Sequence, residues 1–500
     1  MKSGSWKNAF FIIILSCVSF GVYVNALHGD FLVDDEAVIL RDVRIHDLYH
    51  FTRNFRIGPG QLEYLSRAIN WHISAADPFS YHLTAVIAHL FCVILLFILC
   101  NLLFKNRVLS FLSSLIFAIH PIHTEAVSWI SGDQYVVASV PFILSLIFYI
   151  RSGRSVINLA FSALFAALCL LTGNAVVMLP IMFILYDLFF RNRATDDRRL
   201  KAVRWWGIGL ILPLSLLCMG TCLFSRSKFM HLIFNFRGAH YLVVIVKAFA
   251  YYLKILYLPL ARGLYHPFAF NSMDIQQISF TFFLGIFILL VLVIAFFKLR
   301  KDFPAVSFGI MWFLVNYAPY SNIIPVCNIV SERYMYLPSA GIAIMLAAGF
   351  LWVWDLINQK ADHKKLLRGT AICCLTAFLG SYAGLTIKRN YEYSNIIMYW
   401  QTNINNFPDG YKVYNNLAAT YYAMGIPENA IGFCWINLMV NPRQPHVWCN
   451  LGKVYRETGN LEMAKYSYAE ALKIDPGYFP ALEALKEIKT DKDPIKEIKK

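Results

Sequence analysis

The sequence carries little charge for its length. Of its 500 residues, only 15% are Asp, Glu, Lys or Arg, whereas soluble domains average about 25%. Hydrophobic residues make up 58% of the chain, and its mean hydropathy is +0.52. These numbers exclude a mainly soluble, disordered or collagen-like chain. They predict an all-α integral membrane protein with several spans.

Motifs for metal, redox or nucleic-acid chemistry are also missing. The eleven cysteines form no Cys-x-x-Cys pair and no Cys/His ligand spacing, and most lie within apolar runs as small buried residues. The chain has neither a Walker loop nor a basic–aromatic surface. The net charge of +15 is therefore interpreted as a membrane-topology signal, and no nucleic-acid partner is expected.

Eleven apolar segments are predicted to cross the membrane, most of them near the ~20 residues that a bilayer requires. The first is interpreted as a retained span, because it is long for a signal peptide and no cleavage site follows it. The predicted spans are 9–27, 82–104, 108–119, 135–150, 156–172, 175–190, 205–224, 279–297, 304–319, 336–356 and 366–386.

The distribution of Lys and Arg predicts the orientation of these spans. With the N-terminus in the cytoplasm, the basic turns after alternate spans all fall inside, as the positive-inside rule requires. This holds only if the apolar stretch 241–258, which contains Lys247 and Lys254, is interfacial or re-entrant. The result is a polytopic bundle with its N-terminus inside, its C-terminus outside and a long first outer loop.

The C-terminal part of the chain contains a repeat. Pro408, Pro442 and Pro476 are spaced by 34 residues, and further matched pairs share this offset: Asn416/Asn450, Leu417/Leu451, Gly425/Gly459 and Ala430/Ala464. A 34-residue helix–turn–helix period is the tetratricopeptide (TPR) signature. The small residues at 425/459 and 430/464 are expected to allow close packing of the helices. We predict a membrane domain over 1–387 and an extracytoplasmic TPR α-solenoid over 388–500. We expect the solenoid to bind a protein or peptide on its concave face, or alternatively to pack as a lid on the membrane domain.

Within the membrane domain, the unusual polar residues fall on the predicted outer face. Polar groups in an apolar chain are costly unless they serve a site, so this clustering predicts one extracytoplasmic site at the membrane surface. The candidates are Asp34, Asp35, Glu36, His120, His123, Glu125, His266, Glu332 and Arg333.

Several chemistries remain open for these residues. Asp34, Asp35 and Glu36 suit a general base or a divalent-cation site, or alternatively a helix N-cap. His120, His123 and Glu125 suit phosphate or metal binding, or the capped end of a helix broken at Pro121. Glu332 and Arg333 suit a phosphate clamp or a structural ion pair, and His266 alone is more typical of a core or interface histidine.

Several segments together resemble one family, the transmembrane-and-TPR O-mannosyltransferase-like proteins, and more widely the GT-C glycosyltransferases. The resemblance covers nearly the whole chain. Its motifs are Phe31-Leu-Val-Asp34-Asp35, Asp77-Pro-Phe-Ser-Tyr-His82-Leu, Ile119-His-Pro-Ile-His-Thr-Glu-Ala-Val-Ser-Trp-Ile-Ser-Gly132, Leu185-Tyr-Asp187, Ser331-Glu-Arg-Tyr-Met-Tyr-Leu-Pro-Ser339 and the trailing repeats.

This resemblance implies a GT-C-like bundle and a membrane glycosyltransferase. A sugar would move, with inversion, from a polyprenyl phosphate in the membrane to a hydroxyl acceptor, expected to be a protein. Asp34 or Asp35 would be the catalytic base. Glu36, His120, His123, Glu125, His266, Glu332 and Arg333 would shape the donor and acceptor pocket. A divalent cation at Asp34 and Asp35 is the one cofactor that is considered.

The chain also departs from the family pattern. Relatives have Lys-Glu where this chain has Gly173-Asn174, Arg-Pro-Leu where it has Gly60-Gln61-Leu62, and an acidic residue near Tyr135, although Asp133 lies two positions earlier. In the family, the Lys and Arg that this chain lacks are the groups that would neutralise the donor phosphate. Either Arg237, Lys247, Lys254 or Arg262 substitutes, or the protein is a catalytically degenerate TPR scaffold that binds envelope or secretory proteins.

The compartment is predicted from the asparagines. None lies in an Asn-x-Ser/Thr sequon, which favours a bacterial inner membrane over the alternative, the endoplasmic reticulum membrane.

Overall fold

The computed structural model describes residues 2–47, 49, 60–172, 177–191, 202–205, 207–209, 212–213, 239–259, 279–323, 326, 328–360, 363–406, 408 and 410–490. Within these ranges every regular element is helical and no β-strand is present. The chain forms two compact units that divide after Ser394.

Twelve helices of the first unit position the candidate site. They are α1 (Lys2–Tyr23), α2 (Gln61–Ser74), α3 (Phe79–Phe104), α4 (Arg107–Ile119), α5 (Gln134–Arg151), α6 (Val156–Leu170), α7 (Met178–Phe189), α8 (Ala239–Tyr257), α9 (Phe280–Leu299), α10 (Pro304–Tyr317), α11 (Ser339–Lys360) and α12 (Lys364–Glu392). The predicted domain boundary at 387/388 lies inside α12.

All the predicted spans coincide with a helix except 205–224, which lies largely outside the described residues. By length and composition, six described helices can cross a membrane, or seven if α4 and the bent segment after it count as one span. The helices α6 and α7 are shorter and apolar, and α8, predicted to be interfacial or re-entrant, is not among the six. The predicted all-α membrane protein is confirmed.

Exposed apolar side chains indicate a lipid-facing surface on α9. On α9, Phe280 is 80% exposed, Phe287 63% and Ile294 53%. A helix that exposes large apolar side chains along its length is unstable in water and suited to hydrocarbon.

The turn between α3 and α4 shows how the sequence ends and restarts a helix. Lys105 ends α3 in the left-handed conformation, with φ of 52°. The side chain of Asn106 then accepts a hydrogen bond from the Leu109 backbone N–H at 3.1 Å and caps α4. The two helices therefore run antiparallel, and their other ends reach the candidate site.

The second unit contains the predicted repeats. Its helices are α13 (Ile396–Asn406), α14 (Tyr411–Ala423), α15 (Pro427–Val440), α16 (Pro445–Glu457), α17 (Leu461–Ile474) and α18 (Phe479–Thr490). Here α14–α15 and α16–α17 are the two helix–turn–helix repeats. The prolines at 408, 442 and 476 each follow the end of a helix, as expected.

The equivalent small residues of the two repeats have different roles. Ala430 and Ala464 are fully buried and allow the paired helices to approach, as predicted. Gly425 and Gly459 were also predicted to allow close packing, but a Cβ added to either glycine would have no neighbouring atom within 4 Å. That prediction is wrong: these glycines have φ of 73° and 81°, and they are needed for the left-handed turn between helices.

In the first unit, two glycines do set a close helix contact. A Cβ on Gly341 of α11 would lie 2.8 Å from the Phe313 backbone nitrogen and closer still to the Gly309 carbonyl oxygen of α10. Backbone-to-backbone packing of this kind is typical of membrane helices.

We predict that Gly341→Ala destabilises the full chain by about 1–3 kcal/mol, because an added methyl group overpacks the contact between α10 and α11. Gly349→Ala on the same helix is the matched control, since no atom lies within 4 Å of its Cβ position. The measurement is thermal unfolding in detergent. Equal unfolding temperatures for the two variants would contradict the predicted contact.

Candidate functional site

The start of the predicted first outer loop (28–80) is anchored by a buried carboxylate. Asp35 is fully buried, and its Oδ2 accepts a hydrogen bond from the Leu32 backbone N–H at 2.8 Å. Its Oδ1 accepts from the Ser131 backbone N–H at 2.8 Å and also from the Ser131 hydroxyl. Trp129 adds a third link, because its indole N–H donates to the Leu32 carbonyl at 3.3 Å. These contacts join residues 32–35 to residues 129–131.

The neighbours of Asp35 have different environments. Asp34 and Glu36 are exposed, and Glu36 forms an ion pair with Arg41 at 2.6 Å on the surface. Val33 precedes them with φ of 43°, a strained conformation for a β-branched residue. The alternative of a side-chain N-cap is wrong for Asp35, because its carboxylate makes no capping hydrogen bond to the Glu36–Leu40 helical turn.

Burial and hydrogen bonding act on Asp35 in opposite directions. Burial raises the pKa of its carboxyl from 3.8 to about 7. The hydrogen bonds from Ser131 and Leu32 and the charge of Arg67 act to lower that pKa. Among the described residues, no group of three or more His, Cys, Asp or Glu side chains is placed to hold a metal ion. The divalent cation stays a prediction.

Glu125 and Arg333 form the second link of the site. The Glu125 side chain accepts from the Arg333 guanidinium at 2.6 Å, from the Arg333 backbone N–H at 3.0 Å and from the Ser331 hydroxyl at 2.7 Å. The guanidinium also lies over the Trp129 ring, 4.8 Å from its centroid. The structure therefore brings the 120–133 segment into contact with both the first outer loop and the loop before α11.

Glu332 and Arg333 do not pair with each other, although an ion pair between them was one interpretation of the sequence. They lie on one 3-10 turn and face different partners. Glu332 is fully buried and binds Arg389 of α12. The next residue, Asn390, donates to the Val22 carbonyl at 2.9 Å and accepts from the Ser128 hydroxyl at 2.8 Å. These contacts tie the end of α12 to the loop before α11, to α1 and to the 120–133 segment.

The two histidines of the 120–133 segment are buried and bonded to the protein. His120 accepts from the Ile122 backbone N–H at 3.1 Å, so it caps the turn that begins at Pro121. Its other ring nitrogen contacts the Leu256 carbonyl at 2.9 Å. A ring nitrogen of His123 contacts the Ser339 hydroxyl at 2.7 Å. These contacts match the alternative of a capped, Pro-broken helix end. His266 lies outside the described residues.

A buried charged cluster was missed in the sequence analysis. Arg67 and Glu63 lie one turn apart on α2, and the Arg67 guanidinium contacts the Asp133 carboxylate at 3.4 Å. All three side chains are buried, and the Arg67 Nε atom has no hydrogen-bond partner. Burial raises the pKa of Glu63 from 4.5 to about 8, Arg67 opposes this shift, and Asp133 adds to it.

The signal for this cluster was present in the sequence. Glu63 and Arg67 are spaced by four residues, which places them on one helix face. That helix begins immediately after Gly60, where the family motif would place an arginine. Four basic residues were proposed to substitute for the missing family Lys and Arg. Of these, Lys247 and Lys254 lie on α8, whereas Arg237 and Arg262 lie outside the described residues. The Gly173-Asn174 pair also lies outside them. Arg67 is the buried guanidinium near Asp35.

The described site thus contains two exposed carboxylates, of which Glu36 is paired with Arg41 and Asp34 is not. It also contains two positively charged side chains, the buried Arg67 and the partly buried Arg333. Arg333 is already paired with Glu125, while Arg67 makes a single long contact. An exposed carboxylate can accept a proton from a hydroxyl, and an underused guanidinium can bind an oxyanion.

The raised pKa of Asp35 gives a testable pH dependence. The folded-state pKa is about 7 and lies above the ordinary value of 3.8, so the folded protein binds the proton more tightly than the unfolded chain. Stability should therefore fall as the pH rises between about 4 and 7. We expect this fall to be smaller in Asp35→Asn, which does not titrate. The readout is the slope of unfolding temperature against pH; equal slopes for both proteins would contradict the shift.

Comparisons with known proteins support the resemblance that the motifs indicate. The tetratricopeptide repeat family matches residues 445–478. The chain is 24% identical to human protein O-mannosyl-transferase TMTC1 over 90% of this chain and 57% of the relative. It is 23% identical to human TMTC3 over 92% of this chain and 54% of the relative. It is 22% identical to the Caenorhabditis elegans protein O-mannosyl-transferase F38B6.6 over 95% of this chain and 64% of the relative.

The chain spans little more than half the length of the two human relatives. The predicted resemblance to the transmembrane-and-TPR O-mannosyltransferase-like proteins is thereby confirmed over about nine-tenths of the chain.

Proposed function

We propose that this protein is a membrane glycosyltransferase that moves a mannosyl group from a polyprenyl phosphate to a hydroxyl of a protein. The observation that carries the proposal is the exposed Asp34 on a loop that the buried Asp35 fixes to Ser131. The names of the relatives, which are protein O-mannosyl-transferases, support the choice of sugar and acceptor.

In the proposed step, Asp34 is the base. Its carboxylate takes the proton of a serine or threonine hydroxyl as that oxygen attacks the anomeric carbon. The bond from that carbon to the phosphate oxygen breaks, and the polyprenyl phosphate leaves with the electron pair. Attack opposite the leaving group inverts the anomeric carbon. Asp34 is favoured over Asp35 because Asp34 is exposed, whereas both oxygens of Asp35 already accept hydrogen bonds.

Asp35 is then a positioning residue. It holds residues 32–35 against Ser131, and the strained backbone at Val33 needs such external contacts to persist. Precise placement of a base is a large part of its catalytic effect, since a misplaced reacting group loses orders of magnitude in rate.

Arg67 is the proposed ligand of the donor phosphate. Its guanidinium is buried, and among the described residues it makes one polar contact, at 3.4 Å, and its Nε has no hydrogen-bond partner. Glu63 beside it has a pKa of about 8 and is mostly neutral at pH 7, so the cluster is less negative than its composition indicates. Arg67 would supply the positive charge that the family places at the position of Gly60. The second unit, with its two repeats, would recruit the acceptor protein on the outer face.

The test is a transfer assay with membranes that contain matched amounts of full-length variants. The donor is a polyprenyl-phosphate mannose, the acceptor is a serine- and threonine-rich secretory protein, and intact-mass spectrometry detects added hexose. Asp34→Asn should lower transfer by about 100-fold or more, because it removes the base. Asp47→Asn is the control, since Asp47 is an exposed carboxylate of the same loop to which no role in the site is assigned; it should stay within a few fold of wild type.

Two outcomes would overturn the proposal. Transfer by Asp34→Asn at the wild-type rate would show that Asp34 is not the base. No transfer by any form, together with partner binding that depends on the second unit, would favour the degenerate TPR scaffold, as the Gly173-Asn174 departure suggests.

A further inference from the structure

A groove lies at the other end of the membrane helices from the candidate site. Its volume is about 530 Å³, within the range of ligand-binding pockets. The end of α3, the start of α4, the end of α7, the start of α10 and the second half of α11 form its walls. The apolar part of the lining includes Leu102, Phe104, Leu109, Phe190, Val306 and Leu351.

The helix directions separate this groove from the site. Helix α3 begins at Phe79, at the end of the predicted first outer loop, and its 26 residues reach the groove at Phe104. At 1.5 Å per residue this helix is about 39 Å long, which exceeds the thickness of the hydrocarbon core. The groove therefore lies at the opposite membrane surface, and it is independent of the proposed transfer reaction.

The groove is placed to meet lipid. Trp352 and Phe303 line it and are 51% and 40% exposed, as aromatic residues at a membrane–water interface often are. The basic residues Lys105 and Lys301 directly precede two polar lining residues, Asn106 and Asp302. Basic residues at this surface attract lipid phosphates.

Two carboxylates give the groove its chemical selectivity. Asp302 and Asp355 both line it and are exposed, and neither forms a hydrogen bond or ion pair with another described residue. Two unpaired carboxylates beside an apolar wall match a ligand that has a cation next to a hydrocarbon chain. A phosphate group in the same ligand would meet the adjacent basic residues.

We infer that this groove binds a phospholipid with a primary-amine headgroup. Its ammonium lies between Asp302 and Asp355, its phosphate lies toward Lys105 and Lys301, and an acyl chain covers the apolar wall formed by Leu102 and Leu351.

The test uses the full chain in micelles supplied with equal amounts of phosphatidylethanolamine, phosphatidylcholine and phosphatidylglycerol of the same acyl chains. Native mass spectrometry counts the lipids that stay bound. Wild type should retain phosphatidylethanolamine over each other lipid by about fivefold, the effect of one good exposed charge pair. The double variant Asp302→Asn/Asp355→Asn should lose this preference.

Two further variants separate the groove from general lipid binding. Asp77→Asn removes an exposed carboxylate at the other end of α3, keeps a side-chain oxygen that can accept from the Phe79 backbone N–H and should keep the wild-type preference. Ala348→Phe fills the groove and should lower all bound lipid. The inference is overturned if wild type shows no preference or prefers phosphatidylglycerol. It is also overturned if either groove variant binds lipid as wild type does.

Discussion

The buried carboxylate of Asp35 is the constraint on which the candidate site depends. It accepts two backbone N–H groups and one hydroxyl, from residues almost one hundred positions apart in sequence. A carboxylate without such partners would be too costly to bury. These hydrogen bonds therefore fix the start of the predicted first outer loop to the 129–131 segment, while the adjacent Asp34 stays exposed.

Other buried polar links extend from this anchor through the first unit. Glu125 joins the 120–133 segment to Ser331 and Arg333, and Glu332 joins the same loop to Arg389 at the end of α12. Buried ion pairs contribute little net stability, but they are specific, because breaking one leaves an unpaired charge. They therefore favour one arrangement of the loops that form the candidate site. In a mostly apolar protein, few other interactions can select that arrangement.

Much of the fold was predictable because its signals are periodic. Apolar segments of span length and a repeat of 34 residues each reflect a local rule, and helices occur where those rules predict them. The role of Gly425 was not predictable in this way. Spacing alone does not distinguish a glycine that allows close helix packing from one that is needed for a positive φ. The candidate site was predictable in part. Motifs identified Asp35, Glu125 and Arg333, but their partners are set by tertiary contacts.

Arg67 shows most clearly what sequence reasoning missed. The family pattern places a phosphate-binding arginine at the position of Gly60. In the structure, α2 instead places Arg67, two turns later, near Asp35. The partners of Glu332 and Arg333 were missed for a related reason. An acidic residue followed directly by a basic residue suggests an ion pair between the two. Here the 3-10 turn directs their side chains to different neighbours.

Hydrogen–deuterium exchange of the full chain tests the anchor most directly. The backbone amides of Leu32 and Ser131 both donate to Asp35 and should exchange slowly in the wild type. In Asp35→Asn the amide offers one acceptor oxygen in place of two, so exchange at one or both positions should speed up. Asp34→Asn should leave both unchanged. Unchanged protection at both amides in Asp35→Asn would contradict the account.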